Sequence, residues 1–370
     1  MAKERSSNFE LLRIVSMIMI VFYHYAFLSN FNFVFLETTP INYAFLNFLE
    51  LFGKVGVDIF VLISGYFLIK KDSVKISKLV KLWLQILFFS VLSYALFSFN
   101  IIESENFENS VILFLERIMP LSHENWWFAS TYFLLYLFSP FLNKFLKSMS
   151  HRQYFVFLLL AFLVGSVVAA LTNNEIEGMR LFPLLFVYSI GGYIGLYLDE
   201  KRFNQKKLWL VLIITIVLNL LIVLIFHSKA KSDTVIQGYF WFMIGSETFP
   251  LTLVIAVCLF LIFKGLKIGN KKIINVIASA SFGVYLIHDD SFLKIFIWRT
   301  ICRGSDFQYG KLLIPYTIAV CLGVYAACTI IELARIYLLE KNYMKLVYKA
   351  EPKINRVLHR LVDSVYEKIR

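Results

Sequence analysis

Ten apolar stretches of about 18–22 residues constrain this chain more than any other feature, because each is long enough to cross the roughly 30 Å hydrocarbon core of a bilayer as a helix. Composition agrees, since 59% of the 370 residues are hydrophobic and only 17% are charged, whereas soluble proteins have about 45–50% and about 25%. The sequence therefore predicts an all-α integral membrane protein, a bundle of about ten transmembrane helices, and excludes a soluble enzyme or a disordered chain. The stretches centre on 9–28, 45–69, 79–99, 127–146, 153–171, 181–198, 208–226, 240–263, 273–290 and 312–331, and the second and eighth have the least definite limits.

Lysines and arginines are concentrated in alternate loops, and this sorting sets the expected orientation. The N-terminal tail, the loops 70–81, 144–152, 199–207 and 264–272, and the chain from 332 onward hold most of the 37 Lys and Arg. Such loops stay in the cytosol, so we expect both termini to be cytoplasmic in a multi-pass protein of the plasma membrane. The net charge of +12 then reflects topology, and no nucleic-acid partner is expected.

The chain divides into two regions of different character. Residues 1–331 are predicted to form the transmembrane domain, and residues 332–370 a basic amphipathic cytoplasmic tail that lies on membrane lipids. Four cysteines without a CxxC pair indicate neither a disulfide scaffold nor a metal site. The first apolar stretch lacks a small-x-small cleavage pattern after it, so we interpret it as a spanning helix and not as a signal peptide.

Three ionisable residues lie in the first stretch. An ionisable side chain inside a membrane costs free energy, so each of the three is a candidate for a functional role. Glu10 and Arg13 are i,i+3 neighbours and are expected to pair. His24 lies eleven residues after Arg13, which places both on one helix face, separated by about 16 Å of rise. With the N-terminus inside, Arg13 is near the cytosol and His24 is in the outer half of the membrane. The alternative is that Arg13 reaches the headgroups and His24 only hydrogen-bonds a neighbouring helix.

The second stretch contains Asp58 and Ser64 between closely spaced glycines, which allow helices to approach each other. Packing does not explain an aspartate there, and we expect Asp58 to orient an imidazole on the adjacent helix. The alternative is a buried pair between Asp58 and Lys54. Ser64 is either a covalent acyl acceptor or, more commonly, a small residue at a helix interface.

Two further motifs lie at outer helix ends, an Asn-Trp-Trp-Phe run that contains Trp127 and a Ser-Phe-Gly-Val-Tyr-Leu-Ile-His run that ends at His288. Four motifs, in this order along the chain, resemble those of the membrane-bound acyltransferase-3 family of sugar and cell-wall O-acyltransferases. They are Glu-x-x-Arg with Arg-x10-His, the Gly-Val-Asp-Ile-Phe-Val-Leu-Ile-Ser-Gly-Tyr run at 56–66, the Trp-Phe pair, and the Ser-Phe-Gly-Val-Tyr-Leu-Ile-His run. The resemblance extends from residue 8 to about 331. One departure is Asp289-Asp290 after His288, where the family often has a proline.

The resemblance implies transfer of an acyl group, usually acetyl from acetyl-coenzyme A, to a hydroxyl of a cell-surface glycan or lipid-linked sugar. Arg13 would bind the donor near the inner surface, where Lys70 and Lys71 would steer the nucleotide. His24 would be the general base, with Asp58 as the second catalytic residue. Tyr66 and Trp127 are candidate donors to the oxyanion. We expect Glu10, Ser64 and His288 to complete the substrate site.

Two other functions stay open at this point. Ten helices with buried charges and a broken second span also suit an exporter or flippase of a polysaccharide or glycolipid without chemistry of its own. A structural partner in a polysaccharide-synthesis complex is a third possibility. Against the exporter, no inverted repeat is found between the halves of the sequence. Against the structural partner, Arg13, His24 and Asp58 are all present.

Overall fold

A computed structural model of the chain describes residues 6–36, 38–103, 107–122, 125–172, 181–199, 203–230 and 234–369. Every regular element among these residues is helical, which confirms the all-α prediction. In chain order the helices are α1 (Ser7–Leu28), α2 (Phe33–Leu36), α3 (Pro40–Glu50), α4 (Phe52–Leu68), α5 (Ile76–Ser98), α6 (Val111–Ile118), α7 (Trp127–Ser148), α8 (His151–Phe162), α9 (Ala169–Thr172), α10 (Leu181–Tyr197), α11 (Gln205–Ala230), α12 (Thr234–Gly245), α13 (Pro250–Lys264), α14 (Lys272–Ser279), α15 (Ser281–His288), α16 (Leu293–Ile295), α17 (Leu313–Arg335) and α18 (Lys341–Ile369).

Seven helical segments in the described part of the chain are long and apolar enough to cross a membrane. All ten predicted stretches fall on helices, but α10 and the α14–α15 pair are shorter apolar helices, and α7, on the fourth predicted stretch, is not among the seven. A multi-pass membrane protein is therefore supported, while the count of about ten spans and the cytoplasmic termini stay predictions. The seven segments are Ser7–Leu28, Pro40–Leu68, Ile76–Ser98, His151–Thr172, Gln205–Lys229, Thr234–Lys264 and Leu313–Leu358.

The second and eighth predicted stretches are each broken into two helices, and the break in the eighth has a local cause. The eighth stops after α12 because Pro250 begins α13 and holds the preceding residue, Phe249, in an extended conformation with ψ of 129°. The second is interrupted at Leu51, between α3 and α4. Near these two breaks, Lys54 at the start of α4 and Glu247 between α12 and α13 meet inside the bundle.

Helix α4 is the centre of the bundle and owes that position to its glycines. A Cβ on Gly56 would lie 2.7 Å from the carbonyl oxygen of Ser16 in α1. A Cβ on Gly65 would lie 2.1 Å from the carbonyl oxygen of Tyr188 in α10, and one on Gly191 would lie 2.3 Å from that of Leu62. Since real Cβ atoms are excluded at such distances, α1, α4 and α10 touch backbone to backbone.

Many large apolar side chains face outward from the bundle. On α11, Leu210, Ile213 and Ile225 are each more than half exposed, and comparable positions recur on α8 and α17. A soluble protein would not leave so many apolar groups in water, whereas a lipid environment accepts them without cost. The interior, by contrast, holds the charged and polar residues that form the candidate site.

Candidate active site

A cavity of about 240 Å³ lies at the C-terminal ends of α1 and α15, with α4 and α7 as its other walls. Most of its lining is apolar or aromatic, including Tyr23 and Trp127. Into this lining project a small number of polar groups, the arrangement expected of a site that binds and orients a small molecule. The polar side chains among the lining residues are Tyr23, His24, Lys54, Asn125, Trp127, Tyr285, Asp289 and Lys294.

His24 is hydrogen-bonded to His288, and the partners of the pair determine where the protons are. The Nδ1 atom of His24 lies 2.9 Å from the Nε2 atom of His288, and the Nδ1 atom of His288 lies 2.6 Å from the carbonyl oxygen of Val284. A carbonyl only accepts, so a neutral His288 is protonated at Nδ1 and accepts at Nε2. His24 must then donate from Nδ1, which leaves the lone pair of a neutral His24 on Nε2.

Asp289 faces the Nε2 atom of His24 and is placed to stabilise a proton there. Its Oδ1 atom lies 3.7 Å from that nitrogen, too far for a hydrogen bond but close enough for strong attraction to an imidazolium. An ionised carboxylate at this distance favours the protonated imidazole over the neutral one.

A buried ion pair forms the far side of the cavity. The Nζ atom of Lys54, in the first turn of α4, bonds the carboxylate of Glu247, which lies in the break between α12 and α13. The same ammonium lies 4.5 Å from the centre of the Trp127 ring, a distance at which cation–π attraction is effective. Lys54 is thereby fixed beside the indole that the sequence had singled out.

Three of the predicted site residues, His24, Trp127 and His288, come together at this cavity. Asp58 does not reach His24: its Oδ2 atom is buried without a hydrogen-bond partner, and Lys54 pairs with Glu247 instead of with Asp58. The reason is the rotation of α4, which turns Lys54 and Val57 toward the cavity. Among the described residues, the groups that orient the His24 imidazole are therefore His288 and Asp289, where the sequence favoured Asp58.

The other predicted residues lie toward the opposite end of α1. Glu10 and Arg13 pair at 2.8 Å, as expected from their spacing. Tyr66 packs against Phe9, about 22 Å of helix rise from His24, and so is not positioned to donate to an oxyanion formed at His24. Lys70 and Lys71 are exposed just after α4. Lys70, Lys71 and Arg13, whose side chain is about one-third exposed, thus lie at the surface away from the cavity.

Ser64 is likewise separated from the cavity. Its hydroxyl lies 2.9 Å from the carbonyl oxygen of Phe60 and 3.0 Å from the hydroxyl of Tyr132. Neither group is a base that would activate a serine, so its surroundings resemble the interface serine of the two alternatives. Within the described part of the chain, no group of three or more His, Cys, Asp or Glu is arranged to hold a metal ion.

Six polar cavity residues escaped prediction from the sequence: Tyr23, Lys54, Asn125, Tyr285, Asp289 and Lys294. Tyr285 lies in the Ser-Phe-Gly-Val-Tyr-Leu-Ile-His run, one turn before His288, and that i,i+3 spacing was an available signal. Asp289 was noticed only as a departure from the family pattern. Lys54 was considered only as a partner of Asp58, because nothing in the sequence connects it with Glu247.

The sequence is similar to a known protein family and to two curated proteins. A family model described as "Acyltransferase domain" (acyltransferase-3) matches residues 6–333. Two curated proteins, both called "Probable poly-beta-1,6-N-acetyl-D-glucosamine export protein", from Staphylococcus epidermidis and its strain RP62A, are 26% identical to this chain over 188 residues. That similarity covers 46% of this chain and 49% of each relative, so the chain spans about half the length of the curated relatives it matches. No solved structure matches it.

Proposed function

The chain belongs to the acyltransferase-3 family, as its motifs predicted, and on that premise we propose that it transfers an acetyl group from acetyl-coenzyme A to a hydroxyl of a cell-surface glycan or lipid-linked sugar, with His24 as general base. The observation that supports this most directly is the His24–His288 hydrogen bond. It assigns the lone pair of His24 to Nε2, on a ring that lines the cavity.

The reaction follows from that assignment. A sugar hydroxyl is a weak nucleophile until a positioned base removes its proton. Nε2 of His24 takes the proton while the hydroxyl oxygen attacks the thioester carbonyl carbon, and Asp289 stabilises the imidazolium that forms. When the tetrahedral intermediate collapses, the carbon–sulfur bond breaks and the coenzyme A thiolate leaves. The imidazolium then returns a proton to the thiolate, which restores neutral His24.

The oxyanion of the tetrahedral intermediate needs donors that are already in place. Trp127, Tyr285 and Lys54 all line the cavity, and Lys54 is held by Glu247 and by the Trp127 ring. We assign the oxyanion to this side of the cavity. The aromatic lining also suits the apolar face of a sugar ring.

On the donor side we propose that Arg13 binds the phosphates or pantetheine carbonyls of the coenzyme near the inner surface, with Lys70 and Lys71 steering it. Arg13 lies about 16 Å below His24 by helix rise, so only an extended donor arm can connect the two. A guanidinium suits this role because its donors form a planar fork. We place the protein in the plasma membrane, where a cytosolic donor and an envelope glycan can meet across it.

A second function, export of a polysaccharide without chemistry of its own, is favoured by the name of the curated relatives, which describes them as probable export proteins. Purified protein in detergent separates the two. With acetyl-coenzyme A and β-1,6-linked N-acetylglucosamine oligomers or other envelope glycans, an acyltransferase releases free thiol and adds one acetyl mass to the sugar. A pure exporter yields neither. Absence of thiol release with every glycan tested, from protein shown to bind acetyl-coenzyme A, would refute the proposal.

A further inference from the structure

Arg117 is a buried cation outside the candidate active site. It lies near the end of α6, a short helix between α5 and α7, and is only 2% exposed. Its Nη1 atom lies 3.2 Å from Oδ2 of Asp290 and its Nη2 atom 2.5 Å from the hydroxyl of Ser291. The guanidinium also lies 4.0 Å from the centre of the Phe292 ring. Burying a charge so completely is costly, and the residues that Arg117 contacts suggest what it does.

All of these contacts lie on the turn that follows α15. Asp290, which is fully buried, accepts hydrogen bonds on both carboxylate oxygens. Oδ1 accepts from the backbone N–H groups of Phe292 and Leu293 at 2.9 and 3.0 Å. Oδ2 accepts from Arg117 and, at 3.0 Å, from the hydroxyl of Ser93 in α5. Asp290 therefore sets the backbone of the turn, and Arg117 with Ser93 fixes Asp290 to α5 and α6.

The same turn carries the two residues that face His24. Asp289 immediately precedes Asp290, and His288 comes one residue earlier. Their distances to His24, 3.7 Å from Oδ1 and 2.9 Å from Nε2, both depend on where this backbone lies. A second anchor, the bond from the Trp298 indole to the carbonyl oxygen of His288 at 3.2 Å, fixes His288 but not the residues after it.

We propose that Arg117 is a positioning residue: its ion pair with Asp290 holds the Asp289 carboxylate at His24. Arg117 does not line the cavity and acts only through the turn. This inference rests on the proposed acyl transfer for its kinetic consequences, but the arrangement of the two imidazoles can be measured without any reaction.

Kinetics of Arg117→Met and Asp290→Asn give the first test. Each substitution should lower kcat for acetyl transfer by about 10–100-fold, the size of effect that a displacement of about 1 Å produces, with little change in KM for acetyl-coenzyme A. The matched control is Arg303→Met, which removes the arginine of an exposed ion pair with Asp306 and should keep wild-type kinetics. A folded Arg117→Met protein with wild-type kcat would overturn the proposal.

The second test needs no activity. In protein labelled with ¹⁵N-histidine, the His24 signals, assigned by their loss in His24→Gln, should change in Arg117→Met and stay constant in Arg303→Met. A role confined to stability would lower the melting temperature and leave these signals unchanged, which would also overturn the proposal. If wild-type protein proved unable to transfer acyl groups, the proposed acyl transfer would be refuted. The histidine signals would still decide whether Arg117 positions the residues at His24.

The double variant Arg117→Met with Asp290→Asn covers the case in which a single variant does not fold. It leaves no unpaired buried charge, the chief cause of such failure. We expect the double variant to fold, to show the changed His24 signals, and to have a kcat no lower than either single variant, because both substitutions release the same turn. Wild-type kcat and wild-type histidine signals in the double variant would contradict the proposal.

Discussion

The Nδ1 atom of His24 lies 2.9 Å from the Nε2 atom of His288, although 264 residues separate the two in the sequence. The carbonyl of Val284 accepts a hydrogen bond from the Nδ1–H group of His288. His288 therefore accepts at Nε2, and its contact with His24 decides which nitrogen of His24 is basic. The chemistry proposed for the cavity depends on that decision. Five predictions on this site, the donor side and the membrane orientation can be tested one at a time.

Replacing His24 by glutamine should abolish the base while keeping a polar side chain of similar size. We expect the rate of acetyl transfer to fall by about 10²–10⁴-fold, with acetyl-coenzyme A binding retained in calorimetry. His151→Gln is the control, since His151 contacts Tyr193, far along the chain from the cavity residues, and should transfer at the normal rate. Wild-type transfer by His24→Gln would exclude His24 as the base.

Replacing His288 should have a different cost for alanine and for glutamine. Alanine removes the acceptor for Nδ1 of His24 and frees the ring to place its proton on Nε2, which inactivates the base. Glutamine can still accept from Nδ1 through its amide oxygen. We therefore expect His288→Gln to retain at least tenfold more activity than His288→Ala in steady-state assays. Equal activities would indicate that the tautomer is not controlled by His288.

Replacing Asp289 by asparagine should slow transfer, because a neutral amide cannot stabilise the imidazolium that forms when His24 takes the proton. Asp289→Asn should cost about tenfold at pH 7.5, since an opposite charge this close is worth about one pKa unit or more. The pH–rate profile of Asp289→Asn, beside Asp306→Asn as control, measures this.

Replacing Arg13 by alanine should weaken donor binding without removing the base. If Arg13 contacts the coenzyme equally in ground and transition states, KM for acetyl-coenzyme A rises and kcat is nearly preserved. Loss of one charge-assisted contact of this kind costs about 1.5–3 kcal/mol, or roughly 10–150-fold in affinity. Arg356→Ala in α18 is a control for the loss of a cytoplasmic-side cation. If the affinity for acetyl-coenzyme A is unchanged in Arg13→Ala, the coenzyme binds elsewhere on the protein.

Cysteine labelling from outside the cell tests the orientation of the bundle. A cysteine at position 75 should be protected and one at position 108 should react with a membrane-impermeant maleimide, because the loops rich in Lys and Arg stay inside. Background should be low, since Cys258, Cys302, Cys321 and Cys328 are all buried. The reverse pattern would place Arg13 at the outer surface and remove it from the donor side.

The helices and part of the site were predictable because the relevant information is local. Apolar length alone located the helices, and the eleven-residue spacing of Arg13 and His24 fixed their relative position on α1. Motif resemblance added Trp127 and His288. Each of these inferences depends on residues within a few turns of one another, or on a pattern shared by the whole family.

The rest of the site depends on how helices are rotated and broken, which a periodicity does not reveal. Glu247 meets Lys54 only because two interrupted spans face each other inside the bundle. The sequence favours Asp58 as the partner of His24, because a buried acid in an apolar helix is costly unless it has a function. In the structure, α4 turns Lys54 and Val57 toward the cavity, and Asp58 does not line it. Family resemblance made Tyr66 a candidate donor to the oxyanion, although it packs against Phe9 at the other end of α1.

The contact of Gly65 with Tyr188 and of Gly191 with Leu62 has a mechanical consequence. Two helices that touch through their main chains, with no side chains between them, cannot slide or rotate without driving a carbonyl oxygen into a Cα atom. Helices α4 and α10, together with α1 at Gly56, therefore move as one rigid body. The residues of α1 and α4 that line the cavity are therefore carried on a rigid frame, and this side of the cavity keeps its shape whatever molecule the cavity holds.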